Sequence, residues 1–178
     1  APKPSGDKKH DPKNEIKLTM MFDASTVEGA NLNGCWGTCH MDLRSMPDAA
    51  NAKGHAKAKA MGWNDGVTKY IAESRTALEM KGKPRGGWDK LKSDAEIETA
   101  LKDGKFMDLM QFRSGNGEKP VDGYVLESRH MSGGKSLVKA EGSKKGSKWV
   151  VTFERNLAGS GTGDHTISEG KLYNFGFA

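Results

Sequence analysis

The chain holds two cysteines, Cys35 and Cys39, and a histidine, His40, directly follows the second. Together they read "C-W-G-T-C-H" inside "N-G-C-W-G-T-C-H-M-D-L-R-S-M-P", residues 33 to 47. Several chemistries are open to this set. Two thiols can form a disulfide if the backbone brings their Cα atoms within about 7 Å, although so small a loop would stabilise little. A tetrahedral zinc site needs four ligands, and His55 could join Cys35, Cys39 and His40. Adjacent ligands such as Cys39 and His40 fit poorly around one small tetrahedral ion. Reactive thiol chemistry is a further option. Covalent haem attachment uses the pattern C-x-x-C-H, in which each cysteine adds to a vinyl group and the neighbouring histidine ligates the iron. Here the spacing is C-x-x-x-C-H, one residue longer. The Cys39–His40 adjacency that troubles zinc is what haem attachment requires.

A haem iron held by His40 leaves a sixth position. The methionines Met107 and Met46 are the candidates, because thioether sulfur is a common axial ligand of haem iron. Most of the nine methionines are expected to be core fillers. His130 and His165 are expected to be surface histidines. Trp36, Trp63 and Trp88 flank the site in sequence and could stack on a planar ring, or simply anchor a core. No Ser-His-Asp arrangement, phosphate loop or paired-carboxylate motif argues for catalysis in this chain, so it is expected to have no catalytic residues and not to be an enzyme itself.

The elements that must position these residues follow from periodicity. Residues 15–22, "E-I-K-L-T-M-M-F", alternate Ile16, Leu18, Met20 and Phe22 on one face, which predicts a half-buried strand. Residues 23–62 lack clear periodicity and are rich in glycine, which predicts a long loop carrying the cysteine motif. Val67, Tyr70, Ile71 and Leu78 have helical spacing over 64–80. "K-G-K-P-R-G-G-W" reads as a turn-rich connector. A second helix is predicted over 94–103, opened by a capping box of Ser93 and Glu96 and ended before Gly104. From Lys105 the period returns to two: "K-F-M-D-L-M-Q-F-R" and "D-G-Y-V-L-E-S-R-H" each read as a strand. "S-L-V-K-A-E" and "K-W-V-V-T-F-E-R" read as a hairpin around "G-S-K-K-G-S", with Trp149, Val151 and Phe153 facing one way. "G-S-G-T-G-D" reads as a flexible loop, and "K-L-Y-N-F-G-F-A" begins a last strand. Strands at both ends with helices between them predict a mainly β fold, a β-sandwich with a helical insertion and a long haem-attachment loop.

Composition sets the outer bounds. The chain has 178 residues and a net charge of +5, enough for one domain with a proper core. Its mean hydropathy is −0.71, and its apolar runs fall far short of the roughly 18–20 residues that cross a bilayer. The densest basic cluster is Lys144, Lys145 and Lys148, with no alternating aromatics; it reads as a solvated turn rather than a nucleic-acid site. Residues 1–14, rich in Pro, Lys and Asp, read as an extended segment or linker, of the kind found at a mature N-terminus or after an anchor. Residues 15–178 then form a single domain. The last strand stops on Ala178 without a polar tail, so the domain is expected to be truncated at its C-terminus.

The order of several segments carries a resemblance. "C-W-G-T-C-H-M-D-L-R-S-M-P", "K-Y-I-A-E-S-R", "G-K-F-M-D-L-M-Q-F-R-S-G", "D-G-Y-V-L-E-S-R", "W-V-V-T-F-E-R-N-L" and "Y-N-F-G-F-A" resemble the ethylbenzene-dehydrogenase-related haem-binding family, also described as the cytochrome c-552/dimethyl sulfoxide reductase-like haem-binding domain. The resemblance runs from about Glu15 to the end. It implies a DOMON-like β-sandwich with one haem at one end, in a periplasmic protein that passes single electrons. It also implies redox partners such as a multihaem cytochrome or a molybdenum oxidoreductase. The family's b-type members hold haem between a Met and a Lys. Cys35, Cys39 and His40 would make this chain a c-type variant, and the region of the family's second ligand lies beyond "L-Y-N-F-G-F-A". A periplasmic electron-transfer module with one covalent haem c is therefore expected. The rival expectations are a haem-based gas sensor with an open sixth position and a haem subunit of a larger oxidoreductase.

Overall fold

In a computed structural model, the protein is described over residues 16–39, 70–80, 83–114, 121–131, 138–159 and 162–177. Its centre is a five-stranded antiparallel sheet. Strand β1 (Lys17–Asp23) lies between β4 (Met107–Arg113) and β9 (Asn174–Phe177); β4 continues outward to β5 (Val121–Val125) and then β6 (Arg129–Met131). Two hairpins accompany it, β2 (Arg75–Met80) with β3 (Lys83–Leu91), and β7 (Lys139–Lys145) with β8 (Lys148–Glu154). Helix α1 (Ala30–Cys39) follows β1, and α2 (Asp94–Lys102) precedes β4.

Register sorts the sheet's side chains between its faces. Residues paired across antiparallel strands project to the same side. Met21 pairs with Leu109, and Met107 with Val125. All four are buried in one cluster with Val27, Ala30 and Cys39 from the α1 side and Ala100 from α2. The alternate residues Phe22 and Met110 bury against Val138, Phe153 and Ile167 on the other face. There the β7–β8 hairpin approaches so closely that a Cβ on Gly142 would collide with the Phe112 ring. Glycine at 142 is what permits the contact. Two layers of apolar side chains thus flank one sheet, and the fold is mainly β and sandwich-like.

Several expectations match. The capping box is present: the Ser93 N–H donates to Glu96 Oε2 at 2.9 Å and the helix ends at Lys102. The hairpin of β7 and β8 alternates as expected, with Trp149, Val151 and Phe153 turned inward and Lys144, Lys145 and Lys148 exposed around its tip. Strand β1 is more buried than a half-buried strand. Thr19 and Met21 are buried on one face and Phe22 on the other, because side chains pack over both faces of the sheet.

Others are corrected. Within the predicted helix over 64–80, the described residues 70–80 form a short 3-10 turn at Ala72–Ser74 and then β2. The Ile71 N–H donates to the Leu126 carbonyl at 2.9 Å, and β2 takes its hydrogen bonds from β3, so pairing with distant segments overrides helical spacing. The "K-G-K-P-R-G-G-W" connector belongs largely to β3. Pro84 is tolerated because each strand of a two-stranded hairpin is an edge. "D-G-Y-V-L-E-S-R-H" is two strands, β5 and β6, turning at residues 126–128. Gly123 makes that turn possible, since a Cβ there would collide with the His130 carbonyl. We expect Gly123→Ala to push β6 off β5 and to cost about 1–3 kcal/mol, read as a lower denaturation midpoint with faster hydrogen exchange at Tyr124 and Met131.

Candidate functional site

The two cysteine positions lie on a helix rather than in the predicted loop. Positions 30 to 39 form helix α1, interrupted at Gly34, whose φ of 65° and ψ of 170° kink the axis. A left-handed φ of this kind favours glycine. After the kink, positions 35 and 39 are one helical turn apart. At 3.6 residues per turn, a separation of four leaves two residues on the same side of a helix, as does a separation of three. The longer C-x-x-x-C spacing therefore keeps positions 35 and 39 one turn apart on the helix.

What precedes the helix is held by Asp23, which is fully buried. Its Oδ1 accepts the N–H groups of Thr26 and Val27 at 2.9 and 3.0 Å, and its Oδ2 accepts Asn174 Nδ2 at 3.0 Å. The turn out of β1 is thus tied to both β1 and β9. At the other end, the Thr38 hydroxyl donates to the Gly34 carbonyl at 2.8 Å, and the Tyr70 N–H donates to the Cys39 carbonyl at 3.0 Å. Tyr70 and Ile71 are buried, and Ile71 in turn bonds Leu126 at the β5–β6 turn. The Arg75 guanidinium lies 4.2 Å over the Tyr70 ring and donates to the Glu127 carbonyl at 3.1 Å.

The Cys39 thiol faces the apolar side of the sheet. Cys39 is fully buried in the cluster that holds Ile71, Met107, Val125 and Leu126. Met107, the first residue of β4, is also fully buried there. A thiol and a thioether drawn from residues 68 positions apart therefore share one water-excluded cluster. Cys35 lies on α1, while His40, Met46, His55 and Trp63 fall outside the described residues.

Of the two histidines expected at the surface, His165 is corrected, while His130 stays partly exposed. His165 is only 5% exposed. Its ring stacks on Phe106 at 4.1 Å between centroids, and its Nε2 lies 3.0 Å from the Phe106 carbonyl. Burial depresses its pKa. His130 is half-buried, stacked on Tyr124 at 4.6 Å and paired through Nε2 with the Glu127 carboxylate. Both serve the fold at positions where their rings find an aromatic neighbour.

Motif reading also missed a buried ionic centre on the opposite face. Asp108 is fully buried; its Oδ2 accepts Arg155 Nη1 at 2.7 Å and the His165 N–H at 2.8 Å. Burial pushes the Asp108 carboxyl up to about 7, with Arg155 opposing. The available signal was an aspartate inside the apolar run "F-M-D-L-M". A charge at that point of a buried strand demands a partner.

Fold and site together define a mainly β domain with a cysteine-bearing helix docked on an apolar sheet face. Over 178 residues, 99% of its length, the chain is 38% identical to cytochrome c-552 of Stutzerimonas stutzeri. It is 28% identical over the same length to cytochrome c-551 of Rhodocyclus tenuis. It spans about half of each relative, 47% and 48%, and so is homologous to half of proteins named as c-type cytochromes. No family model matches the chain. No solved structure matches it either. No helix among the described residues is long and apolar enough to cross a membrane.

Proposed function

We propose that the chain is a periplasmic c-type cytochrome module that carries one covalent haem and passes single electrons between redox partners. The observation that carries this reading is the burial of Cys39 in the same apolar cluster as Met107, at the end of a helix that sets position 35 one turn earlier. The identity to a named cytochrome c-552 supports it. So does the order of segments that resembles the ethylbenzene-dehydrogenase-related haem-binding family.

The residues fit such a group by donor chemistry. Cys35 and Cys39 would hold the ring through thioether bonds, His40 would ligate the iron, and Met107 is the sulfur ligand we favour for the opposite side. When bound, haem c supplies a one-electron iron couple. The chain's own part is to position and to shield. The Asp23 turn and the Tyr70–Cys39 hydrogen bond fix both ends of α1, and the apolar cluster keeps water from the sulfur atoms. The net charge of +5 favours encounter with acidic partners. A multihaem cytochrome or a molybdenum oxidoreductase is the partner class that the family resemblance suggests.

Covalent attachment is tested by mass and solvent extraction. Protein made with a haem-attachment apparatus should exceed its sequence mass by one haem and keep its colour after acid–acetone treatment. Cys39→Ser should cost more holoprotein than Cys35→Ser, because residue 39 is held by the Tyr70 hydrogen bond and adjoins His40. Equal loss in both variants would contradict the ranking, and colour that leaves with the solvent would contradict covalent attachment.

A further inference from the structure

The face of the sheet away from Cys39 carries a second constellation. Asp108 on β4 and Asp122 on β5 project to that face, since Asp108 pairs with Tyr124 and Met110 with Asp122. Asp164 arrives from the loop between β8 and β9. That loop owes its path to glycine: Gly163 has a φ of 93°, and a Cβ on it would collide with the Tyr124 ring. One oxygen from each of Asp108, Asp122 and Asp164 lies within 4.8 Å of the others. Asp108 and Asp122 are buried, 0% and 6% exposed.

The second observation is an orphaned atom. Asp108 Oδ2 takes both available donors, Arg155 Nη1 and the His165 N–H. Oδ1 of the same fully buried carboxylate has no hydrogen-bond partner among the described residues. A buried, unsatisfied carboxylate oxygen is costly to leave as it is. Charge points the same way. Three carboxylate oxygens converge where two of their residues are buried, and a cation is the complement of such a place.

From this convergence and the orphaned oxygen we propose that Asp108, Asp122 and Asp164 form a calcium site that pins the β8–β9 loop to the sheet. All-oxygen donors select a hard cation. Coordination habit selects among them. Calcium takes about 6–8 oxygen ligands in flexible geometry, whereas magnesium demands a near-ideal octahedron, keeps several waters and is seldom held by an all-protein cage of carboxylates. Three carboxylates converging from two strands and a loop suit calcium. Arg155 engages Asp108 Oδ2 and turns its Nη2 to the His165 carbonyl at 2.7 Å, which leaves Oδ1 for an ion. A proton on Asp108 is the competing occupant.

The test uses the whole chain, stripped with a chelator and titrated with calcium chloride. We expect one calcium per chain by calorimetry and a thermal midpoint that rises with each further tenfold of calcium. Asp164→Asn, at a partly exposed position, should keep the circular dichroism of the parent while weakening calcium binding about tenfold or more, because affinity follows ligand charge. Asp122→Asn should do the same. No calcium uptake and no midpoint shift in the parent chain would overturn the site in favour of the proton. Uptake undiminished in both variants would place the calcium elsewhere, and an equal response to magnesium chloride would overturn the choice of ion. None of these readouts depends on haem.

Discussion

Replacing Arg155 with methionine should be among the most damaging single changes the fold can suffer, lowering stability by about 3–5 kcal/mol. The guanidinium is nearly buried, at 9% side-chain exposure against 0% for Asp108. It donates to the Asp108 carboxylate, the His165 carbonyl and the Asn156 carbonyl, and lies 5.2 Å over the Phe22 ring. Methionine fills much of the volume but returns none of these bonds. It strands a carboxylate that is already costly to ionise. For a domain of ordinary stability, about 5–15 kcal/mol, the loss is a large share of the total. In a chain of this size it should lower the thermal midpoint by on the order of 10 °C. The cause can be separated from simple loss of packing. Asp108→Asn removes the stranded charge, so the double variant, measured in a chelator, should recover part of what Arg155→Met loses. Strictly additive losses would show that the ion pair is not what the arginine contributes.

Arg155 also shows where a linear reading of this chain stops. It stands 47 positions from Asp108, in a segment with no motif, and only the return of the β8–β9 loop across the sheet brings the two together. Strand β8, with its clean period of two, was legible because one repeating contrast, more buried against exposed, generates both pattern and structure. Helix α2 was legible because Ser93 and Glu96 satisfy its first N–H groups locally, whatever lies around it. The β2–β3 hairpin was not. Its alternation is weak, and Ile71 and Arg75 take their partners from Leu126 and Glu127. Helix α1 was hidden for a different reason. Gly34 and Gly37 lower its intrinsic propensity, and its ends are fixed by Asp23 and Tyr70 rather than by residues of its own. The cysteine motif suggests a chemistry from local spacing alone. The neighbourhood of Cys39, and the burial of Met107 within it, is tertiary information that a sequence spacing cannot carry.

The role of Met107 can be isolated by two substitutions that share a position and differ in what they remove. Met107→Ala deletes most of a fully buried side chain from the cluster around Cys39, and a cavity of that kind should cost about 2–5 kcal/mol. Met107→Leu keeps nearly the same volume and should cost less than about 1.5 kcal/mol. It also removes the only donor atom, the thioether sulfur. If Met107 ligates the iron, the leucine variant should fold, keep its covalent haem and yet lose the low-spin spectrum of the parent. Its reduced form should bind carbon monoxide readily, because the tethered sulfur that competes with the gas at high effective concentration is gone. Visible spectra of the oxidised and reduced forms, with a carbon monoxide titration, measure this directly. A leucine variant spectrally identical to the parent, alongside an alanine variant that is merely less stable, would make Met107 a core residue and send the search for the iron's sixth ligand elsewhere. The leucine substitution decides because it separates what the cluster demands of this side chain, its volume, from what an iron would demand of it, its sulfur.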